Sequence, residues 1–270
     1  MSPAKADRPH YSGMMRKALV LLLIGVLASA GTVASAPQGG AVAGTAALDV
    51  LFIGNSLIGT PAATGEDTPD VVLRLARDTG RTVRVIKVIR FGSTLQQTWD
   101  AGPARRALSG ATRYDVIVLQ EYSTLVATDP GRAAATLLRT YAPALPRSLK
   151  PGGRVVLFKN WALADPAPFP SRPANVAAIN AGYRRLAADL PLPVVIAPIG
   201  DEFEAVVARD GTGVLIHPDG KHPTGQAVYL DAVTLYGLIF RRSPRGLPDL
   251  YLGRPAAARL REVAATTLGY

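Results

Sequence analysis

Cysteine is absent from this 270-residue chain, and histidine occurs only as His10, His217 and His222. Without cysteine the chain can form no disulfide, no thiolate nucleophile and no cysteine-ligated zinc site. So few histidines also argue against a histidine-rich metal centre. We therefore predict a protein whose chemistry uses neither a bound metal nor a cofactor.

Runs of basic residues are also missing, although the formal net charge is +10. The lysines and arginines are scattered, and no aromatic residues alternate with them, so the pattern does not predict a nucleic-acid partner. The positive charge fits weak attraction to anionic surfaces or substrates, and equally a drift of composition in an Ala- and Arg-rich chain. No Gly-rich phosphate loop follows the first expected strand, which argues against a nucleotide-binding module.

One long apolar run, residues 18–27, stands near the start of the chain and follows Arg16 and Lys17. Small residues at 28–30 and 34–36 then offer cleavage sites, which is the pattern of a signal peptide. The run is short for a membrane-spanning helix, and an uncleaved anchor is the alternative. We therefore expect an exported protein, periplasmic or secreted, whose membrane contact is limited to this signal.

Three regions follow from this pattern: a signal peptide over 1–36, a flexible Gly/Ala linker over 37–47 and a globular domain over 48–270. In the domain, short apolar strands alternate about five times with segments of helical periodicity, and hairpin signals are few. This alternation predicts an α/β domain with a parallel sheet between two layers of helices. The strands are expected at 48–53, 82–89, 114–121, 154–161 and 193–198.

The first strand ends abruptly in Gly54-Asn55-Ser56. Ser56 therefore lies just past the carboxyl end of a central strand, where open α/β sheets have their ligand crevice. A serine there is a candidate nucleophile, and a serine that caps the next helix is the alternative.

Further polar groups are expected at the same edge of the sheet. Gly92 follows the second strand, Gln120 closes the third, and Asp219 and His222 share a late polar loop. His222 can take the proton of Ser56, and Asp219 can hold the other ring nitrogen. The Ser56 and Gly92 backbone N–H groups and the Gln120 amide can donate to an oxyanion.

Each of these groups also has a purely structural interpretation. The Asp219–His222 turn could cap the late helix, Gly92 could be a turn residue, and Gln120 could be a polar strand end. His217 is interpreted as a loop residue without a role. Asn160 ends the fourth strand and is a tentative substrate contact.

Four blocks, in order, resemble the SGNH hydrolase superfamily, also called GDSL-like esterases and lipases. They are Gly54-Asn55-Ser56, then Gly92, then Gln120-Glu121, then Asp219-Gly220-Lys221-His222-Pro223, within residues 48–240. The resemblance implies a three-layer α/β/α sandwich of flavodoxin-like topology and a metal-free Ser/His/Asp hydrolase.

Two blocks depart from the common pattern. Asn55 stands where the family commonly has Asp, and Leu119-Gln120-Glu121 replaces a block that commonly supplies Asn. The second departure resembles the branch with a Leu-Gln-Glu motif and some carbohydrate acetylesterases. Asn55 and Glu121 join Asn160 as tentative substrate-binding residues, and Glu121 could instead orient Gln120 or its loop.

The function expected from these features is an exported serine esterase that removes small acyl groups, such as acetyl, through an acyl-Ser56 intermediate. Its substrate would be a carbohydrate ester or another small ester. An acyltransferase on the same scaffold is one alternative. A non-catalytic carbohydrate-binding protein that kept the fold is the other.

Overall fold

A wholly parallel five-stranded sheet runs through residues 47–270, the part of the chain that the computed structural model describes. The strand order is β2-β1-β3-β4-β5, which is the flavodoxin-like order. The predicted α/β class and topology are thus confirmed. The predicted signal peptide, and all of the predicted linker except residue 47, lie outside the described residues. The strands are β1 Leu48–Gly54, β2 Val83–Ile89, β3 Tyr114–Leu119, β4 Leu149–Phe158 and β5 Val194–Ala197.

Helices connect the strands and cover both faces of the sheet. Within residues 47–270, none of them is both long and apolar enough to cross a membrane. They are α1 Ser56–Gly59, α2 Thr68–Asp78, α3 Leu95–Asp100, α4 Pro103–Ser109, α5 Leu125–Thr128, α6 Pro130–Ala135, α7 Leu145–Ser148, α8 Arg172–Asp189, α9 Ile199–Asp210, α10 Gly225–Phe240 and α11 Arg254–Thr267. A π-helical turn, Thr136–Tyr141, continues α6, and two 3₁₀ turns cover Thr212–Val214 and Pro244–Gly246.

Alternation along the strands divides the core into two layers, because successive side chains of a strand point to opposite faces. Val50 and Phe52 of β1 pack with α2, α9, α10 and α11. Leu51 and Ile53 pack on the other face with the helices between α3 and α8. Both faces of β1 are therefore covered, as its continuous apolar sequence predicts.

The carboxyl ends of three neighbouring strands lie at the same edge of the sheet, as their register shows. Gly54 at the end of β1 pairs with Ile89 at the end of β2, and Ile53 pairs with Leu119 at the end of β3. The strand order reverses at β1, so a crevice opens at the carboxyl ends of these strands.

Two segments differ from the expected elements. The sequence predicts a helix over 131–149 that is broken near Pro143 and Pro146. In the structure the break falls at Pro143, between the π-helical turn and α7, whereas Pro146 lies in the first turn of α7. β4 begins at Leu149, five residues before the expected start. There the pairing of β3 and β4 shifts register between Tyr114 and Val116, and a bulge accommodates Pro151-Gly152-Gly153.

Candidate active site

Ser56 is the first residue of α1, directly after the turn that leaves β1. Asn55, and not Ser56, caps this helix, because the Asn55 side-chain oxygen accepts a hydrogen bond from the Leu57 backbone N–H at 3.2 Å. The Ser56 hydroxyl is therefore free of the capping role that was its structural alternative. The residue is 5% exposed.

Three side chains are joined in series at this point. The Ser56 Oγ lies 3.0 Å from His222 Nε2, and His222 Nδ1 lies 2.7 Å from Asp219 Oδ2. An ionised carboxylate can only accept, so Nδ1 carries the ring proton and Nε2 of the neutral ring faces the Ser56 hydroxyl as an acceptor. The structure therefore brings together the three residues that the sequence singled out.

Backbone donors keep the Asp219 carboxylate ionised. Its Oδ1 accepts from the Lys221 N–H at 2.9 Å and the His222 N–H at 3.0 Å. The His222 backbone bond first, then the ring bond and the Lys221 bond, hold the pKa of Asp219 well below its usual value. A permanently charged carboxylate behind the imidazole favours the imidazolium that a general base forms.

The loop that carries His222 is tied down along its length. The His217 N–H donates to the His222 carbonyl at 2.8 Å, and the Thr224 hydroxyl donates to the Val214 carbonyl at 2.7 Å. On the β4 side, the Trp161 indole N–H donates to the Lys221 carbonyl at 3.2 Å. These bonds hold the imidazole against Ser56 without help from a ligand.

Gly92 follows β2 with a φ of +69°, in the left-handed region that favours glycine. Apart from its two chain neighbours, no atom of the described residues lies within 4 Å of the position that a Cβ would take, so the requirement for glycine on the protein's side is conformational. Within residues 47–270, the backbone N–H groups of Gly92 and Ser56 donate to no protein atom. Their expected role as oxyanion donors stays a prediction.

Gln120 is placed differently from its expected role. Its side chain is fully buried, and its Oε1 accepts from the Asn55 backbone N–H at 2.8 Å. Its amide nitrogen donates to Asn160 Oδ1 at 3.1 Å and to the Glu121 carbonyl. Both amide hydrogens are thus used inside the protein, and Gln120 supports the turn between β1 and α1 that precedes Ser56.

The three tentative substrate contacts are also buried, so the structure does not bring them to the cleft. Asn55, Glu121 and Asn160 are each 1–2% exposed. Asn160 donates to the Glu121 carbonyl at 2.9 Å, and the Asn55 amide donates to the Ser93 carbonyl at 3.1 Å. The strand-end position of Asn160, and the places of Asn55 and Glu121 in the sequence blocks, had suggested contact with substrate. Because these side chains are buried, they support the loops instead.

Glu121 holds two loops together through one oxygen. Its Oε1 accepts from the Leu95 N–H at 3.0 Å and the Tyr122 N–H at 2.6 Å. Burial raises the pKa of this carboxyl, and these two backbone bonds oppose the rise. Together with Asn55, Glu121 thus fixes the segment 92–95, which includes Gly92.

A cleft of about 550 Å³ opens beside the triad. His217 lies in its wall, 60% exposed at its side chain, with Nδ1 3.8 Å from Asp219 Oδ2. The sequence assigned His217 no role, because Pro218 follows it directly and His222 is better placed to act as the base. The residues that line the cleft are Thr60, Pro61, Ala62, Ala63, Phe91, His217, Asp219, His222, Pro223, Thr224 and Gly225.

No group of three or more His, Asp or Glu side chains in residues 47–270 is arranged to hold a metal ion. The residues that converge at the cleft are those of hydroxyl and imidazole chemistry.

No protein-family model matches this chain, and no curated protein sequence matches it. Solved structures do. A DUF4886 family protein from Bacteroides uniformis is 16% identical with a TM-score of 0.69, over 83% of this chain and 95% of that one. A candidate SGNH hydrolase from Slackia heliotrinireducens is 24% identical with a TM-score of 0.55, over 70% of this chain and 97% of that one.

An esterase is among the similar structures. Axe2, an acetylxylan esterase from Geobacillus stearothermophilus, is 15% identical with a TM-score of 0.52, over 71% of this chain and 94% of that one. At these identities the likeness is one of fold. The chain has the fold of the SGNH hydrolases, and the resemblance seen in its sequence blocks is confirmed at that level.

Proposed function

We propose that this chain, which has the SGNH hydrolase fold, is a serine esterase that hydrolyses small acyl esters, acetyl esters above all. The observation that carries the proposal is the hydrogen-bonded series Asp219–His222–Ser56 at the carboxyl edge of the sheet. An esterase among the proteins of similar structure gives it further support.

In the first half-reaction, the Ser56 Oγ attacks the ester carbonyl carbon while its proton passes to His222 Nε2. A tetrahedral oxyanion forms, and Asp219 stabilises the imidazolium. The bond from the carbonyl carbon to the alcohol oxygen then breaks, and the leaving oxygen takes the proton from Nε2. The products are the free alcohol and acyl-Ser56.

In the second half-reaction, water replaces the alcohol. His222 takes a proton from the water as its oxygen attacks the acyl carbon, and the proton then returns to the Ser56 oxygen as the ester to Ser56 breaks. The carboxylic acid leaves and the free serine is restored.

The oxyanion requires donors, and we assign two of them. The unbonded backbone N–H groups of Ser56 and Gly92 are the candidates, and the buried contacts of Asn55, Gln120 and Glu121 hold the two segments in place. Two preorganised N–H groups are enough for substantial stabilisation, since loss of a single such donor costs roughly 3–4 kcal/mol in other hydrolases.

Export is a separate proposal that rests on sequence alone. The basic pair Arg16-Lys17, the apolar run 18–27 and the small residues after it fit a cleaved signal. N-terminal sequencing of the protein from culture medium or periplasm tests it. A mature chain that starts near residue 37 supports the proposal, and an intact N-terminus in the cytosol contradicts it.

The esterase proposal is tested by turnover of 4-nitrophenyl acetate. We expect Ser56→Ala and His222→Ala each to lower kcat by about 10³-fold or more with the far-UV spectrum unchanged. Ser109→Ala, at an exposed serine that ends α4, is the matched control and should turn over as wild type. Full activity in both site variants would show that the chemistry lies elsewhere.

The same experiment distinguishes an acyltransferase. With a sugar alcohol added as a competing acceptor, a hydrolase releases free acetate, whereas a transferase forms the acetylated sugar. We expect acetate as the main product, because the cleft beside Ser56 is open to water.

A further inference from the structure

One aromatic side chain at the carboxyl edge of the sheet lies outside the hydrophobic core. Phe91, the residue before Gly92, is 59% exposed and lines the cleft beside the triad. In residues 47–270, the other large hydrophobic side chain with comparable exposure is Tyr270, at 42%, which is not among the residues of the cleft. A single exposed apolar side chain is common on protein surfaces. Phe91 is of interest because it lines the cleft beside the triad, and aromatic side chains that line a cleft are typical ligand contacts.

The ring of Phe91 packs closely against Gly59. Gly59, in the helix that Ser56 begins, has no side chain, and a Cβ there would lie 2.9 Å from Phe91 Cε1 and 2.4 Å from Ile89 Cγ2. The absence of that carbon lets the aromatic ring lie directly on the helix backbone. One part of the ring is therefore supported by protein while much of the rest stays open to solvent.

The cleft is amphipathic. Pro61, Ala62 and Ala63, from the segment after α1, join Phe91 as apolar lining. The loop that carries His222 supplies polar groups, among them His217 and Thr224. A ligand that fills this space needs an apolar face and polar edges together.

The chemistry of the proposed reaction indicates which half of the ester can occupy the cleft. The leaving alcohol must take its proton from His222 Nε2, so it has to lie beside that atom. His222 and its loop residues form much of the cleft wall. Since His222 lines this cleft, an alcohol that occupies it can take the proton from the imidazole.

We propose that Phe91 is a specificity-determining residue that stacks against the sugar ring of a carbohydrate ester. This inference rests on the proposed esterase function and adds the class of its alcohol. A pyranose ring has a C–H face to lay on the aromatic ring and hydroxyls to reach the side chains of Thr60 and His217. A long alkyl alcohol would form no hydrogen bond with either side chain.

The test compares three acetates: an acetylated methyl glycoside, octyl acetate and ethyl acetate. The measured quantity is kcat/KM for each of the first two, divided by kcat/KM for ethyl acetate. In wild type we expect the glycoside ratio to exceed the octyl ratio. Phe91→Ala should lower the glycoside ratio about five- to tenfold, mainly through KM, as loss of one stacked aromatic face predicts.

Two further variants sharpen the result. Phe91→Trp, which keeps a flat ring, should retain the glycoside ratio, whereas Phe91→Leu, which keeps apolar area without a flat face, should lose most of it. Tyr270→Ala removes the other exposed aromatic and should leave both ratios unchanged. Far-UV spectra of all variants should match wild type, since the changed side chains lie at the surface.

The outcomes separate this inference from the function on which it rests. If wild type hydrolyses ethyl acetate but Phe91→Ala leaves the glycoside ratio unchanged, the stacking role is refuted and the esterase stands. If Phe91→Ala lowers the octyl ratio more than the glycoside ratio, the occupant is an alkyl chain and the carbohydrate is refuted. If wild type hydrolyses none of the three, both proposals fail.

Discussion

A fully buried carboxyl group, that of Glu202, makes the stability of this protein depend on pH. Glu202 on α9 has no exposed surface, and one of its oxygens accepts from the Thr234 hydroxyl of α10 at 2.6 Å. Its other oxygen has no partner within the described residues, and the same is true of both oxygens of the buried Asp231. Burial, the largest effect, together with the nearby Asp201 charge, raises the pKa of Glu202 to about 8.

The direction of the pH effect follows from this shift. The folded state holds the Glu202 proton more tightly than the unfolded state, where the pKa is about 4.5. The free energy of unfolding is therefore highest below that value, and it falls as pH rises through the folded pKa near 8. The slope is about 1.4 kcal/mol per pH unit, so the total loss is roughly 3–5 kcal/mol. Burial also raises the pKa of Asp231, which acts in the same direction.

Glu202→Gln removes this titration while it keeps an oxygen for the Thr234 hydroxyl. We expect the slope of unfolding free energy against pH, measured by urea denaturation between pH 5 and 8, to flatten by about 1.4 kcal/mol per unit. Glu262→Gln is the control, because the pKa of Glu262 is lowered by Arg245 and contributes no slope in this range. Parallel curves for wild type and Glu202→Gln would refute the reasoning.

Three further predictions concern the site. Asp219→Asn should lower kcat about 10²–10⁴-fold at neutral pH, measured on 4-nitrophenyl acetate, because the amide no longer fixes the His222 tautomer or stabilises the imidazolium. Trp161→Phe removes the donor to the Lys221 carbonyl and should lower the free energy of unfolding, measured in urea, by about 1 kcal/mol. It should also lower kcat while KM changes less. Glu121→Leu leaves two backbone N–H groups without an acceptor, so stability should fall by about 1–3 kcal/mol and kcat with it, whereas Glu121→Gln should restore most of both.

The architecture was predictable because it depends on periodicity that is local in sequence. The apolar run of β1 and the amphipathic spacing of α2 are visible without tertiary contacts, although Asp67 caps α2 where the sequence favoured Thr68. The bulge at the start of β4 was not, because Pro151-Gly152-Gly153 ordinarily marks a turn, and only the pairing with β3 makes it part of a strand.

The convergence of the triad residues was predictable from the sequence, but the burial of the polar residues around them was not. Ser56, Asp219 and His222 could be placed together because parallel strands end at one edge. The burial of Gln120 and Asn160 could not be foreseen, since a polar residue at a strand end looks the same in sequence whether it faces a cleft or a neighbouring loop. The contact of Phe91 with Gly59 joins the segment after β2 to the end of α1, and no local pattern records such a contact.

The central claim is that His222 activates the Ser56 hydroxyl, and a fluorophosphonate probe tests it most directly. The measurement is mass spectrometry of the labelled protein, wild type beside Ser56→Ala. The account predicts a single adduct on the peptide that contains Ser56, absent from the variant and strongly slowed in His222→Ala. A folded wild-type protein that takes up no adduct, or one labelled equally in Ser56→Ala, would contradict it.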